Sequence, residues 1–337
     1  MGMENKSYPM TLVDAVKYFA DSDFSTDYFA KMRWPDGVVC PHCGSMKVSY
    51  LANQKRWQCH EKHPRRQFSA KVGTIFEESP MGLDKWFVAI WCITNAKNGI
   101  SSCELARALG ITQKSAWFML HRVRHAMHSG SFVKFTGTVE SDETFIGGKA
   151  KNMHLSRRQE KITGTGGIGK AVVHGLIQRG DKKAKKVSKV KAVVVKNTRA
   201  ATLVPIVQQH VETGSTVYTD SLPSYNALKV DYVHDAIDHA ECYVKGLIHT
   251  NGMENFWSLL KRAIGGTYVS VDAPHLGRYV DEQAFRFNER DLNDGQRFRV
   301  VLPGVIGKRI TYKQLIGEAT PELLPASEEP KSGDLPN

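Results

Sequence analysis

The 337-residue chain is 41% hydrophobic and 24% charged, enough apolar material for two or three compact units. Its formal net charge of +12 and pI of about 9.3 point to a polyanionic partner, nucleic acid before an anionic membrane surface. No apolar run approaches the roughly 18 to 20 residues of a membrane span. The longest block is Trp86 to Ile93, and Glu4, Asp14 and Asp21 do not suit a signal peptide, so a cytoplasmic protein without a membrane partner is expected.

In chain order, residues 1–30 read as a helical lead-in, with Leu12, Val16 and Phe19 at helical spacing. Residues 31–79 are Cys-bearing, basic and strand-like. Residues 80–130 are helical, and residues 135–300 alternate strands with helices. A C-terminal extension covers residues 301–337. It turns acidic and Pro-rich from about residue 318, which predicts disorder there.

Cys40 and Cys43 form a CxxC knuckle, and Cys59 follows after fifteen residues. In a reducing compartment clustered thiols are metal ligands before disulfides. The layout suits one structural tetrahedral zinc, with His63 as the expected fourth ligand and His60 and His42 as weaker candidates. Lys55, Arg56, Arg65 and Arg66, with Lys62 and Lys71, make the surroundings basic, and Trp57 and Phe68 interleave with them, a mix suited to phosphate contact. Cys92, Cys103 and Cys242 read as small buried hydrophobes.

Residues 99–124 read as helix, turn, helix. Ser101 or Ser102 caps the first helix, Gly110 supplies the turn and Thr112 caps the second helix. Leu83 to Thr94 would be the third member of the bundle. Ala116, Met119, Leu120 and Val123 form the apolar face of the second helix. Gln113, Lys114, Ser115, His121, Arg122 and Arg124 are then left for solvent or DNA.

Strands are predicted at Thr138–Ile146, Ala171–Gln178, Val190–Val195 and Thr216–Thr219, and helices at Ala200–Glu212, Tyr225–Leu228 and Asn251–Ile264. Lys182 to Lys189 reads as an exposed hairpin turn. The pattern fits a mixed sheet with helices packed on it. Phosphodiester chemistry with two hard cations needs converging carboxylates. Asp142 lies in the first strand, Asp220 ends the fourth, and Glu254 starts the last helix. On that helix Met253, Phe256, Trp257, Leu259 and Leu260 form one apolar arc. Glu254 and Lys261 lie opposite, projecting about 20° apart. Glu140 and Glu143 compete with Asp142, and spacing alone does not choose among them. Gly164 to Lys170 matches most of a phosphate-binding loop. Ala171 stands where Ser or Thr should hold magnesium, and the loop precedes a strand, so no nucleotide cofactor is expected.

Taken together, these stretches resemble the zinc-ribbon DDE transposases of bacterial insertion sequences, the IS fifteen-ninety-five group with an ISXO-two-like catalytic domain. The resemblance rests on Cys40 to Gly44, Phe68-Ser69 with Gly73 to Phe76, Ala106 to Arg124, Asp142 to Lys149, Tyr218 to Asp220 with Tyr225, His249 to Arg262, and Phe285 to Arg290. It implies a multidomain α+β chain: a zinc ribbon, a helix-turn-helix-type module and an RNase H-like mixed α/β catalytic core. It selects Asp142, Asp220 and Glu254 as ligands for two Mg2+ (or Mn2+) ions and Lys261 as the signature lysine that also contacts DNA. It implies cleavage of element ends at their terminal inverted repeats, joining of the 3′-hydroxyls to target DNA, and a homo-oligomer on double-stranded DNA in the bacterial nucleoid. The family often has a second CxxC where this chain has Lys62, so His63 must replace that thiolate. The rival reading is a catalytically inactive, domesticated transposase acting as a DNA-binding regulator. The intact acids argue against it.

Overall fold

A computed structural model describes residues 7–128, 133–147, 170–181, 186–237 and 249–318. Helix α1 (Leu12–Tyr18) starts at a Thr11–Asp14 capping box, and α2 (Ser22–Arg33) at Asp21, whose carboxylate accepts from the first-turn amides. The lead-in is thus two short helices. Ala15 of α1 and Phe19 just after it are buried, while Leu12 and Val16 each stay 45% exposed. Seven residues cover only a narrow strip, and Phe19 fixes it by packing edge-on against Phe87. A small antiparallel sheet follows: β1 (Val48–Leu51), β2 (Arg56–Cys59) and β3 (Gln67–Phe68). Trp57 and Phe68 stack across its last pair of strands.

Helices α3 (Leu83–Asn95), α4 (Ser102–Leu109) and α5 (Gln113–Met127) come next. Ser101 caps α4 in a capping box with Glu104. Gly110 takes the left-handed conformation (φ +60°) that ends α4, and Thr112 caps α5. The expected signals sit where they were read.

The second half is built on β4 (Thr138–Ile146), β5 (Ala171–Gln178), β6 (Lys189–Val195), α6 (Ala200–His210), β7 (Thr216–Asp220) and β8 (Val233–Ile237). Helices α7 (Asn251–Arg262), α8 (Ala273–Asn288), α9 (Asp294–Val301) and α10 (Tyr312–Leu315) complete the described residues. The sheet order is β6-β5-β4-β7-β8, with β4, β5 and β6 antiparallel and β7 and β8 parallel to β4. The first two strands have the expected bounds, and the next two each gain one residue. Strand β8 was not foreseen, because Val233-His-Asp-Ala-Ile237 is short, polar and at the sheet edge. Tyr225–Leu228 lies in a 3-10 turn, Pro223–Val230, and α7 passes into a π-helical turn, Ala263–Tyr268. Residues 182–185 of the lysine run, 164–169 of the Gly-rich loop, Cys242 and the tail beyond 318 lie outside the described residues.

Side chains alternate across the sheet at a period of two. Val173, Ile177 and Val190 pack against α7 and α8, whereas Val139, Leu176 and Val217 pack against α6 and the 3-10 turn. The other cluster runs from Ala15 through α3–α5 to Phe298, Val301 and Val305, so α9 returns to pack on the N-terminal half.

The packing around α5 corrects three expectations. His121, Arg122 and Arg124 are buried, not offered to solvent or DNA. Helix α5 is covered on one side by α3 and α4 and on another by α8, which leaves no free polar face along its middle turns. Arg122 donates to the carbonyls of Ile75, Glu77 and Ile310. Arg124 pairs with the buried Glu282 of α8 at 2.6 Å. His121 packs between Trp117, His275 and Tyr279. The scattered cysteines also differ from expectation: Cys92 is half-buried and Cys103 exposed, since the start of α4 faces solvent.

Burial pushes His121 down to about 2 and, with the Lys308 and Arg278 charges nearby, His125 down to about 4. Both are neutral when folded and gain a proton on unfolding below the ordinary value of 6.5. The unfolded state therefore binds more protons, so stability is full above that value and declines as pH falls toward 4. The expected slope is roughly 1.4 kcal/mol per pH unit per group. Thermal unfolding followed from pH 7 to pH 5 should show a falling Tm, and His121→Phe should flatten the fall. An equal slope in that variant would contradict the assignment.

Candidate metal centres

The ribbon site begins with a tight turn. Gly44 (φ +76°) donates its amide to the Cys40 carbonyl, which presents Cys40 and Cys43 on one side. Cys59 ends β2, held by its amide to the Arg66 carbonyl, and the loop between them returns His63. The ligand atoms of Cys40, Cys43, Cys59 and His63 all lie within 4.8 Å of one another. Cys43 Sγ is 3.6 Å from Cys59 Sγ, and Cys40 Sγ is 3.5 Å from His63 Nε2. A tetrahedron with Zn–S bonds of about 2.3 Å has edges of about 3.8 Å, so this donor set fits zinc. His60 instead places Nε2 3.1 Å from Ser49 Oγ. His42 lies outside the four-residue group. The open choice of fourth ligand therefore falls on His63.

The second site sits just past the β4–β7 pairing, with Asp142 and Glu143 in the middle of β4 and Asp220 at the end of the adjacent, parallel β7. Ligand oxygens of Asp142, Glu143 and Asp220 lie within 4.8 Å of one another. Burial raises Asp142 to about 6, with the charges of Asp220 and Glu254 adding to it. Glu143 is raised further, to about 9, by burial and then by Asp220 and Asp142. Three mutually repelling carboxylates are a donor set suited to a hard cation. Glu254 is exposed on α7 and outside the close trio, but its charge is felt at Asp142. Lys261 is exposed on the same helix.

Two contacts hold α7 against this cluster. Trp257 Nε1 donates to Asp142 Oδ2 at 2.9 Å, so a residue read only as part of the apolar arc also orients the acid. Glu140, read as a rival of Asp142, accepts from the Met253 amide at 3.0 Å and from Arg179 at 2.7 Å. It anchors the first turn of α7, where a carboxylate is favoured by the helix dipole. Opposite Asp142 in the antiparallel register is Gly175. A Cβ there would stand 2.2 Å from Met253 Cε and 2.7 Å from the Trp257 ring, so only glycine lets α7 approach so closely. Glu143 was named only as a competitor. Its buried partner Tyr225, whose hydroxyl donates to it, comes from the 3-10 turn on the other side of β7. No local spacing could have paired those two.

The basic residues assigned to DNA divide into groups. Lys55, Arg56, Arg65 and Arg66 are exposed around the ribbon, with Lys55 paired to Asp23 and Arg66 donating to the Cys59 carbonyl. Gln113 and Lys114 are exposed and Ser115 half-buried at the start of α5, with Gln113 bonded to Ser102. No described helix is long and apolar enough to cross a membrane.

Fold and sites thus define a zinc-ribbon protein followed by an acid-bearing mixed-sheet core. Residues 21–61 match the transposase zinc-ribbon domain, and residues 134–288 match the ISXO2-like transposase domain. The chain belongs to the IS1595 family of DDE transposases. It is 27% identical over 275 residues to an uncharacterized protein in transposable element ISH50 of Halobacterium salinarum, covering 78% of this chain and 87% of that one. It is 35% identical over 105 residues to an uncharacterized transposase-like protein of Haemophilus influenzae, covering 31% of this chain and 85% of the relative.

Two outcomes follow from this geometry. Metal analysis of the purified chain should find one zinc, with His63→Ala losing most of it and chelation unfolding the ribbon. Full retention of zinc by that variant would remove His63 from the set. Gly175→Val should destabilise the chain by roughly 1–3 kcal/mol through overpacking against α7. Denaturant unfolding measures this, and a neutral result would contradict the close approach.

Proposed function

We propose that the chain is a DNA transposase that cuts the ends of its insertion sequence and joins them to target DNA. The observation that carries this reading is the convergence of Asp142 and Glu143 of β4 with Asp220 at the end of the adjacent β7, with Glu254 on the helix beside them. The sheet order, three antiparallel strands flanked by two parallel ones, supports an RNase H-like core.

Asp142, Asp220 and Glu254 would hold two divalent ions, Mg2+ or Mn2+, with Glu143 the next carboxylate in reach. Such ions supply Lewis-acid stabilisation of the attacking and leaving oxygens of an in-line displacement. The chain's own part is geometric. Trp257 orients Asp142, and Glu140 pins α7, which keeps Glu254 at the cluster. Lys261, two turns from Glu254 on the same face, is placed to hold a DNA phosphate. Water attacks first, and the freed 3′-hydroxyl then attacks target DNA at the same site. The ribbon residues Lys55, Arg56, Arg65 and Arg66 and the α5 N-terminus, Gln113 to Ser115, would grip the terminal repeats. A homo-oligomer would handle both ends together.

Asp142→Asn, Asp220→Asn and Glu254→Gln should each lower end cleavage by at least about 100-fold, since each removes a charge made for the transition state. Gel-shift binding of the ends should remain within a few-fold. Cleavage and strand-transfer assays with Mg2+ measure the loss, and a fully active Asp142→Asn enzyme would overturn the assignment.

A further inference from the structure

Between the C-terminal end of α3 and the back of α7 lies a cavity of about 530 Å3, separate from both metal centres. Its walls carry Lys97, Arg286, Arg290 and Arg297, and among the described residues no carboxylate. Arg286 and Arg297 answer to Glu282 and Asp294, which do not line the space. Lys97 is exposed, and neither it nor Arg290 has a carboxylate partner among the described residues. The unbalanced charge calls for an anion.

The rest of the wall narrows the anion. Arg290 lies over the Phe287 ring, its carbon 4.3 Å from the centroid, and its Nη1 is tied to the carbonyls of Phe287 and Ser188. This makes a fixed, flat, cationic platform beside apolar Ile177 and Leu259. Exposed Asn255 adds an amide, while Asn95 is bonded to Arg297 and to the Asp294 carbonyl and Gln283 accepts from Arg286. Arg286 is 92% buried, being 8% exposed, and its Nε has no hydrogen-bond partner among the described residues. Its Nη1 and Nη2 are taken by Glu282 and Gln283 and its Nε is buried, so Arg286 lends the wall charge and not a free donor. The volume falls in the roughly 300–1,000 Å3 range of small-ligand sites. It exceeds what a bare phosphate fills and cannot admit a duplex.

We propose that this cavity binds one unpaired nucleotide of a DNA strand. The phosphate lies toward Lys97 and the arginines, the base stacks on the Phe287–Arg290 platform, and the Asn255 amide meets its edge. This inference rests on the reading that the chain acts on DNA. It also has a structural consequence. Gly252, Asn255 and Leu259 line the cavity from α7, on the face opposite Glu254 and Lys261. A nucleotide seated there braces from behind the helix that presents Glu254 to the acid cluster.

The test uses the full, zinc-loaded chain with Mg2+ and Mn2+ omitted, so that no cutting intervenes. Three probes are titrated by calorimetry or fluorescence: dAMP, a blunt duplex of element-end sequence, and the same duplex with a short single-stranded tail. The expected result is saturable dAMP binding and at least tenfold tighter binding of the tailed duplex. Both should weaken at least tenfold in Arg290→Gln and several-fold in Lys97→Gln, with blunt-duplex binding unchanged. Lys97 is exposed, so its variant keeps the test valid if Arg290→Gln misfolds. Loss of both the dAMP signal and the tail preference in the native chain, or their persistence in Lys97→Gln and Arg290→Gln, would overturn the site. Binding of dAMP without a tail preference would overturn the DNA strand as its source. A chain that binds dAMP but no duplex would instead overturn the DNA reading and leave the site standing.

Discussion

The seating of α7 on the sheet is the constraint on which the acid site depends. In the proposed site Glu254 would be carried by a helix and Asp142 and Asp220 by strands, so the helix must lie close to the sheet. Gly175 makes that range possible by offering no side chain where Met253 and Trp257 must pack. Glu140 then fixes the helix start through the Met253 amide, and Trp257 fixes Asp142 itself. One glycine, one buried carboxylate and one indole N–H therefore set the geometry that the acids require.

A second buried interaction joins the two halves of the chain. Glu282 on α8 accepts from Arg124 of α5, from Arg286 one turn further along α8, and from the hydroxyl of Tyr268 in the π-helical turn that ends α7. Arg124 in turn lies over the Tyr279 ring. Buried charges need such full satisfaction, because removing one partner leaves the others desolvated and unpaired. The arrangement links the helix whose N-terminus carries Gln113 and Lys114 to the helix that carries Glu254. It also explains why the middle of α5 has no free cation: its arginines are structural donors.

Much of this was legible beforehand where the signal was local. The Cys40–Cys43 knuckle, the caps at Ser101 and Thr112, the turn at Gly110, the bounds of β4 and β5 and the two faces of α7 all follow from spacing and period. The failures were of another kind. His121, Arg122 and Arg124 look like surface residues because charge is normally solvated, and only the packing of α8 and of the segments around Ile75 and Ile310 against α5 covers them. Strand β8 lacks an apolar run because it lies at an edge and draws on its neighbour β7 for hydrogen bonds. Trp257 shows its apolar surface in the sequence, while only the fold shows that its N–H donates to Asp142.

The sequence by itself determined the donors: three thiols and a histidine at metal spacing, acids at strand ends and a helix start, and a basic surface. Those follow from covalent order, since residue type and local periodicity are written along the chain. Tertiary structure alone decided which donors meet. It chose His63 over His60, drew Glu143 in beside Asp142 and Asp220, and turned Glu140 from a rival ligand into the anchor of α7. Such choices depend on distances between elements remote in the chain, and those distances are set by how side chains fill the space between sheet and helix.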